Sequence, residues 1–445
     1  MDKKIKDKIS KDIYDISYTL KSKGFNVYLV GGSIRDIFLN KDIDDYDLAT
    51  DATPDQLKKI FPKAILFGEK FGTIMLIIDN NRVEITTLRK ESDYDDGRHP
   101  SKVSFIKDIN EDLKRRDFTV NAIAFDLINF NIIDLFNGEG DITKKIIRAV
   151  GNPDARFEED ALRLLRAVRF SLKLGFKIEQ NTYNSIKKNA HLIEFISKER
   201  VRDEFLKIIS GDNSSKGIEL LRETGLLQYI MPELLVCVGV IQNKFHSLDV
   251  YNHLLLSMDK ADEKIKLVAL LHDIGKPQTK EGEHFFAHEK VGADIARNIL
   301  TRLKFPKEEI YMTCKLIQLH LFFYNDSWSD GAVRRFLRKV EDDKSLELLF
   351  LLREADEKGN PISTYDFNNL EKFKKRIQKI KEKDRFMSIK DLKINGYDLI
   401  KIGYQRDKFL GETLNLLLDA IIEDPSINTK ESLLAIAKDK LDHFV

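Results

Sequence analysis

The chain lacks most of what would commit it to an oxidising compartment or to a membrane. Two cysteines, Cys237 and Cys314, stand in 445 residues, which excludes a disulfide framework, and neither belongs to a CxxC pair of the kind that holds zinc. A reducing compartment fits, and the cytoplasm is the expected location. Charge of one sign is not in excess either: 74 Lys and Arg face 73 Asp and Glu, for a formal net charge of +1. A nucleic-acid surface must therefore be a local patch rather than a global excess. Long apolar runs are missing. The longest, around residues 229–241, is short and carries Pro232, and the opening stretch MDKKIKDKISKDIYDI is amphipathic without an apolar signal core, so no membrane span is expected. Internal repeats are absent.

A chain of this length is too long for one hydrophobic core and predicts about three compact units. Its organising stretch is VYLVGGSIRDIFLNKDIDDYDLAT, Val27 to Thr50. A short apolar run (Val27, Leu29, Val30) stops at Gly31 and Gly32, and a helical run follows with Ser33 in the N-cap position, ending near Asn40. Glycines let a backbone approach a ligand, and a helix N-terminus offers free amides and partial positive charge, so the turn reads as a phosphate cradle. Asp45 and Asp47 flank Tyr46 in the next apolar run. Residues i and i+2 of a strand share a face, which converges both carboxylates beside the cradle and suggests bound divalent metal, most simply Mg²⁺. The competing reading is a solvated acidic loop, since Asp42, Asp44 and Asp51 crowd the same stretch.

Taken in order, Lys4 to Lys23 shows Ile5, Ile9, Ile13, Ile16 and Leu20 at helical spacing. DATPDQLKKIF reads as a capped helix with Pro54 in its first turn, and GTIMLIIDNNRVEITTLR as a hairpin joined at Asp79, Asn80 and Asn81. In the second arm Glu84 either faces solvent or supplies a third carboxylate beside Asp45 and Asp47. RKESDYDDGRHP, Arg89 to Pro100, reads as a polar loop. Arg115, Arg116 and Asp117 precede FTVNAIAFDL at a strand edge, a placement that suits triphosphate or serves only as surface charge. About five short strands with interspersed helices make an α+β head of roughly 150 residues on these patterns.

From Asp154 the pattern is almost wholly helical. In FEEDALRLLRAVRF, Ala161, Leu164, Leu165 and Val168 fall on one face, while Glu159, Arg163 and Arg166 fall opposite with Asp160 at the margin. The polar face either meets solvent or reads the edge of a cytosine or adenine, because a carboxylate accepts from an exocyclic amine and a guanidinium donates to ring acceptors. SGDNSSK, residues 210–216, marks a boundary. Beyond it His253 sits in YNHLLLS, and His272 and Asp273 end the apolar helix IKLVALLHD. A His–Asp pair at a helix end with a histidine on a preceding helix can chelate metal, and His288, His320 and Asp356 are further candidates.

These motifs resemble those of the class II CCA-adding tRNA nucleotidyltransferases, within the polymerase-β-like superfamily, with an HD phosphohydrolase domain fused in the C-terminal half. The likeness runs from Val27 to Leu206 through LVGGSIRD with DDYDLAT, VEITTLR, RRDFTVNA, DLFNGEGDI and EEDALRLLRAVRF, and more weakly through HDIGKP and the tail. It implies a fold of an α+β head (1–150), a helical neck (151–212), a helical body with the HD domain (213–387) and a helical tail that binds tRNA (388–445). It implies complete CCA addition to tRNA from CTP and ATP, with enzymes adding only C or only A and poly(A) polymerases as rivals. The segment RKESDYDDGRHP resembles the loop needed for switching to ATP, which argues against a C-only enzyme. Carried over by position, Asp45 and Asp47 hold two Mg²⁺ ions, with Glu84 a third carboxylate. Gly31, Gly32 and Arg35 contact the triphosphate, and Arg116, Asp117 and Asn121 position sugar and phosphates. Glu159, Asp160 and Arg163, with Arg166 beside them, select the base. His253, His272, Asp273 and Asp356 ligate a divalent, potentially transition, metal in the HD domain, with His246 competing for the first position. In related enzymes that domain hydrolyses phosphomonoesters and 2′,3′-cyclic phosphodiesters, and the resemblance implies such an activity here. A rival of another class makes the chain chiefly that hydrolase, with an RNA-binding head. In the tail, GYDLIKIGYQRDKFLGE departs from the family's glycine- and proline-richer turn.

Overall fold

The apolar run Val27–Val30 forms β1, a strand with all four residues buried. It lies within the mixed sheet of a computed structural model that describes residues 5–43, 45–67, 72–78, 81–92, 102–383 and 389–443. Following β1 come β2 (Asp45–Thr50), β3 (Ile65–Phe67), β4 (Thr73–Ile78), β5 (Asn81–Thr87), β6 (Arg89–Ser92), β7 (Lys102–Phe105), β8 (Ala124–Asp126) and β9 (Ile132–Ile133). The sheet has seven strands in the order β3-β4-β5-β2-β1-β8-β9, and β6 and β7 pair apart from it. Its edge strands β3 and β9 are too short to show a period in sequence, which is why the expected count of strands falls below the observed one. β2 runs antiparallel to β1 and parallel to β5, with Asp47 opposite Glu84. Tyr28, Val30, Ala49, Leu88, Ile109, Leu113 and Ala124 form a continuous core on one side of this sheet.

Several local expectations change. The helix within this stretch is Lys11–Ser22, with Ser10 at its N-terminus; Ile5 and Lys6 are helical ahead of it, and Ile5 and Ile9 are buried. The Ser10 amide donates to the Tyr46 hydroxyl at 3.1 Å, an alternative to helical pairing that breaks the periodic run. Ser33 is not an N-cap. The helix is Gly31–Phe38 with Val30 at the cap position, so both glycines lie inside its first turn, and Ser33 serves another purpose described below. Pro54–Ile60 has the expected start, a capping box between Thr53 and Gln56. The β4–β5 hairpin is present, with residues 79 and 80 of its connection outside the described residues. Arg89–Ser92, expected as loop, is strand β6 paired with β7; cross-strand pairing outweighs the polar composition there, and residues 93–101 lie outside the described residues. FEEDALRLLRAVRF is two helices rather than one. Pro153–Glu159 ends at Asp160, which is extended (φ −147°), and Asp160 Oδ1 accepts from the Leu162 amide at 3.1 Å, an Asx turn that precedes Leu162–Leu174.

The chain divides into two compact units, Met1–Leu235 with Arg302–Phe305, and Val236–Thr301 with Pro306–Val445. The first holds the sheet and the helices through residue 235; SGDNSSK lies within it, where Ser214 begins another helix. Helices make up nearly all of the second, including Val250–Lys260, Lys266–Leu271, His288–Arg302 up to Thr301, Lys307–Leu319 and Asp343–Lys358. Its last part has its own core, in which Leu399, Tyr404, Leu417, Ile421 and Leu433 pack together. Both cysteines are buried and free. Among the described residues no helix is long and apolar enough to cross a membrane.

Candidate active site and candidate metal centre

Strand alternation sends the Tyr46 side chain into the core, leaving Asp45 exposed and Asp47 half-buried on the other face. Parallel pairing then sets Glu84 directly beside Asp47. The three carboxylates expected to act together therefore share one face of adjacent strands. Burial raises the Asp47 pKa, opposed by Arg116, the Gly32 amide and Arg35, and Asp45 raises it further. Burial also raises that of Glu84, with Asp47 and Asp45 adding repulsion. Crowded negative charge of this kind is relieved by a cation.

The glycine pair lies against this face. Gly31 has φ +64°, which favours glycine, and a Cβ built on it would stand 3.1 Å from Asp47 Oδ2 and 3.3 Å from Arg116 Nη1 and press on both side chains. The Gly32 amide donates to Asp47 Oδ2 at 3.3 Å. Ser33 Oγ donates to the Asp45 carbonyl (3.0 Å) and accepts from the Asp47 amide (2.7 Å), which locks the helix start to the strand carrying both carboxylates.

Of these groups Gly31, Gly32 and Asp47, though not Asp45 or Glu84, line a cleft of about 590 Å³, together with Asn121, Phe170 and eight arginines (Arg35, Arg89, Arg115, Arg116, Arg163, Arg166, Arg169, Arg200), against only two further aspartates, Asp117 and Asp160. Such an excess of guanidinium suits a polyanion. A buried chain of contacts orders them. Arg35 Nη1 donates to Asn121 Oδ1 at 2.7 Å, Asn121 Nδ2 to Asp117 Oδ1 at 3.2 Å, and Arg166 Nε to Asp117 Oδ2 at 2.8 Å. Burial opposes the charge on Asp117, yet Arg166, through its charge and hydrogen bond, and the Asn121 amide hold its pKa down to about 2. Arg116 is clamped by Asp112 at 3.2 Å and donates to the Asn121 carbonyl.

At the break between the two helices, Arg163 Nη1 donates to Glu159 Oε2 (2.7 Å) and its Nη2 to the Arg115 carbonyl (2.8 Å), while Asp160 pairs with Arg200 at 2.9 Å. Asp160, Arg163 and Arg166 line the cleft; Glu159 stands behind Arg163 and does not. Sequence reasoning missed Arg89, Arg169 and Arg200. Arg169 continues the i+3 series of Arg163 and Arg166 and could have been found by that spacing, whereas Arg200 arrives from the separate helix Lys198–Ile209 with no motif to mark it. Its Nη1 is buried without a hydrogen-bond partner.

In the second unit the histidines gather. His253, His272 and Asp356 bring ligand atoms within 4.8 Å of one another, as do Asp273, His288 and His320, and among the described residues no other such group occurs. His246 stays outside both: its ring meets His253 edge-on at 5.7 Å and its Nδ1 faces Asn243. Burial opposes a charge on His272, but Asp273 and Asp356 push its pKa up to about 10, whereas burial and Lys276 push His246 down to about 4. A cleft above the cluster is lined by His246, Lys276, Arg353, Asp356 and Tyr365 among others.

Three family models match successive stretches: the poly A polymerase head domain over residues 27–148, the probable RNA and SrmB-binding site of polymerase A over 175–237, and domain 2 of tRNA nucleotidyltransferases over 284–437. The chain is 34% identical over 437 residues to the CCA-adding enzyme of Ligilactobacillus salivarius, spanning 96% of this chain and 95% of that enzyme. It is 33% identical to the CCA-adding enzyme of a Geobacillus species over 94% of each. The solved structure of the Bacillus stearothermophilus CCA-adding enzyme in complex with CTP is similar with a TM-score of 0.69 and 29% identity, covering 97% of this chain and 98% of that one.

Proposed function

This chain belongs to the CCA-adding tRNA nucleotidyltransferases, and on that premise we infer that it extends the 3′ end of tRNA with CCA from CTP and ATP without a nucleic-acid template. The observation that carries the reading is the juxtaposition in the first unit: two carboxylates on one strand face, a glycine helix start against them, and a cleft of eight arginines beside both. The tRNA 3′-hydroxyl attacks the α-phosphorus of the bound nucleotide, an O3′–P bond forms, the P–O bond to the β-phosphate breaks, and pyrophosphate leaves.

The hard oxygen donors of Asp45, Asp47 and Glu84 suit two Mg²⁺ ions. Asp45, Asp47 and Glu84 would hold Mg²⁺ there, and the ions would supply a lowered pKa at the attacking hydroxyl and positive charge opposite the leaving pyrophosphate. The amides of Gly31 and Gly32 and the guanidiniums of Arg35 and Arg116 hold the triphosphate. Asn121 and Asp117, fixed by Arg35 and Arg166, position the sugar. Asp160 and Arg163 present an acceptor and donors to the base edge, which distinguishes cytosine and adenine from uracil and guanine by hydrogen-bond polarity, and Glu159 orients Arg163. Within the chain we read residues 1–150 as catalytic head, 151–212 as base-selecting neck, 213–387 as body and 388–445 as a tRNA-binding tail.

Transcripts ending before CCA, after one C and after CC, incubated with CTP and ATP in turn, test the reading. Complete addition extends all three. Extension of the CC-ended transcript alone makes the enzyme A-adding, and runs of A on any end make it a poly(A) polymerase.

A second reading is supported by the gathering of His253, His272 and Asp356, with Asp273 adjoining: this centre binds a divalent metal and hydrolyses phosphate esters. Asp45→Ala removes nucleotide addition and leaves ester hydrolysis; His272→Ala does the reverse. Loss of both activities in either variant contradicts two separate centres.

A further inference from the structure

We propose that Phe170 is a positioning residue for nucleotide transfer, whose ring holds the guanidiniums of Arg35, Arg166 and Arg169 in the orientation that receives a triphosphate. The inference rests on the nucleotidyltransferase reading of the cleft and goes beyond it by giving an apolar side chain a part in the binding of charge.

Three cations meet one ring. The guanidinium carbons of Arg169, Arg166 and Arg35 stand 4.6, 5.2 and 5.7 Å from the Phe170 ring centroid, all within the distance at which the negative face of an aromatic ring attracts a cation. Arg166 and Phe170 are four residues apart on the helix Leu162–Leu174 and so share one side of it, whereas Arg35 comes from the glycine helix Gly31–Phe38. All four residues line the cleft. The ring is itself held, since Phe118 meets it edge-on at 5.8 Å and 76°, a geometry that aromatic pairs prefer. Phe170 and Phe118 are both buried, and removal from water strengthens the attraction of ring for cation.

Each guanidinium is also fixed by a carboxylate at its edge. Arg35 donates through Nε and Nη2 to Asp36 at 2.9 and 3.1 Å, Arg166 donates through Nε to Asp117 at 2.8 Å, and Arg169 Nε pairs with Glu204 at 2.6 Å. A guanidinium carries its donors in its plane, and its flat face, which has none, is the part that stacks on an aromatic ring. Edge and face together set the plane. An aliphatic side chain of similar size would fill the same space without opposing the mutual repulsion of the cations. That repulsion is present: burial lowers the Arg169 pKa, Glu204 raises it, and Arg166 and Arg35 lower it again. With the ring offsetting the crowding, an entering triphosphate meets guanidiniums already in place, and binding needs little reorganisation.

The same ring ties the parts of the cleft together. Arg35 donates to Asn121 at 2.7 Å, Asn121 to Asp117 at 3.2 Å, and Arg166 closes on Asp117, so both ends of the chain that positions the sugar rest on Phe170. Arg169 extends that chain to the helix Lys198–Ile209 through Glu204.

The test replaces Phe170 in the full-length protein by phenylalanines carrying one, two or three ring fluorines. Fluorine drains the negative face while leaving the ring apolar and nearly its own size, which separates attraction of charge from packing. Addition of C to a tRNA transcript lacking CCA is followed across CTP concentrations. Across the series kcat/KM should fall stepwise, by about tenfold in all at three fluorines, carried mainly by KM for CTP. KM for the transcript should stay constant, and inhibition by inorganic pyrophosphate should weaken in step with CTP. Phe170→Leu, which removes the ring face altogether, should lose at least as much; the fluorinated series decides even where that variant does not fold. A constant kcat/KM across the series, or a loss confined to Phe170→Leu, makes the ring a packing residue and overturns the proposal while leaving the reading of the cleft standing. No addition of C by the unmodified protein overturns that reading, and the proposal with it.

Discussion

Breaking the Asp117–Arg166 pair should weaken the first unit by an amount its geometry sets. The two residues lie 49 positions apart and meet at 2.5–2.8 Å, with the Asp117 side chain 8% exposed and that of Arg166 34%. Burial disfavours the carboxylate, but Arg166 and Asn121 bring its pKa from 3.8 down to about 2, a difference of about 2 kcal/mol in favour of the charged form. Asn121 contributes part of that and water reaches Arg166, so the pairwise share is about 1–2 kcal/mol. The assay is a double-mutant cycle of Asp117→Asn and Arg166→Met by urea unfolding, followed by far-UV circular dichroism. Fluorescence of Trp328, the sole tryptophan, lies in the second unit and serves as a control that should not move. Because the folded pKa is depressed, the coupling is fully present above the unfolded value of 3.8 and disappears as pH falls through 2. Both single variants should also raise KM for CTP, since Asp117 orients Asn121 toward the cleft. A coupling indistinguishable from zero at neutral pH refutes the reasoning, as does a shift confined to the Trp328 signal.

Other perturbations reach neighbouring parts of the site. Gly31→Ala costs about 1–2 kcal/mol in left-handed backbone and presses on Asp47 and Arg116; transfer should slow about tenfold or more with a raised Mg²⁺ requirement, read from metal titrations of the rate. Asp47→Asn removes a half-buried charge whose pKa is raised by burial, so in chelator-containing buffer the variant should melt at higher temperature than the wild type while transferring no nucleotide. Arg200→Met releases Asp160 from its partner and should lower discrimination of CTP over UTP, measured as a ratio of kcat/KM, more than it lowers the rate with CTP itself.

Much of the site was legible because its elements are local. A strand ending in two glycines, and two aspartates at i and i+2, carry their geometry in backbone periodicity alone, and the face they share follows without knowledge of the fold. Glu84 was only half legible: alternation put it on one of two faces, and the parallel register opposite Asp47 decided which. Ser33 was misplaced because the same residue type caps helices and bridges backbones, and here the bridge to β2 won. Asp160 broke a helix that the apolar period carried straight through, since its side chain offers the Leu162 amide a better partner than another helical turn would. Arg200 and the gathering of the histidines into two groups depend on helices distant in sequence, and no local pattern announces either.

Cocrystals with CTP and Mn²⁺ in place of Mg²⁺ test the central claim most directly. The account predicts anomalous peaks between the carboxylates of Asp45 and Asp47 and the nucleotide phosphates, with the triphosphate against the Gly31–Gly32 amides and the base beside Asp160 and Arg163. Nucleotide bound elsewhere, or ions that touch neither aspartate, would contradict it.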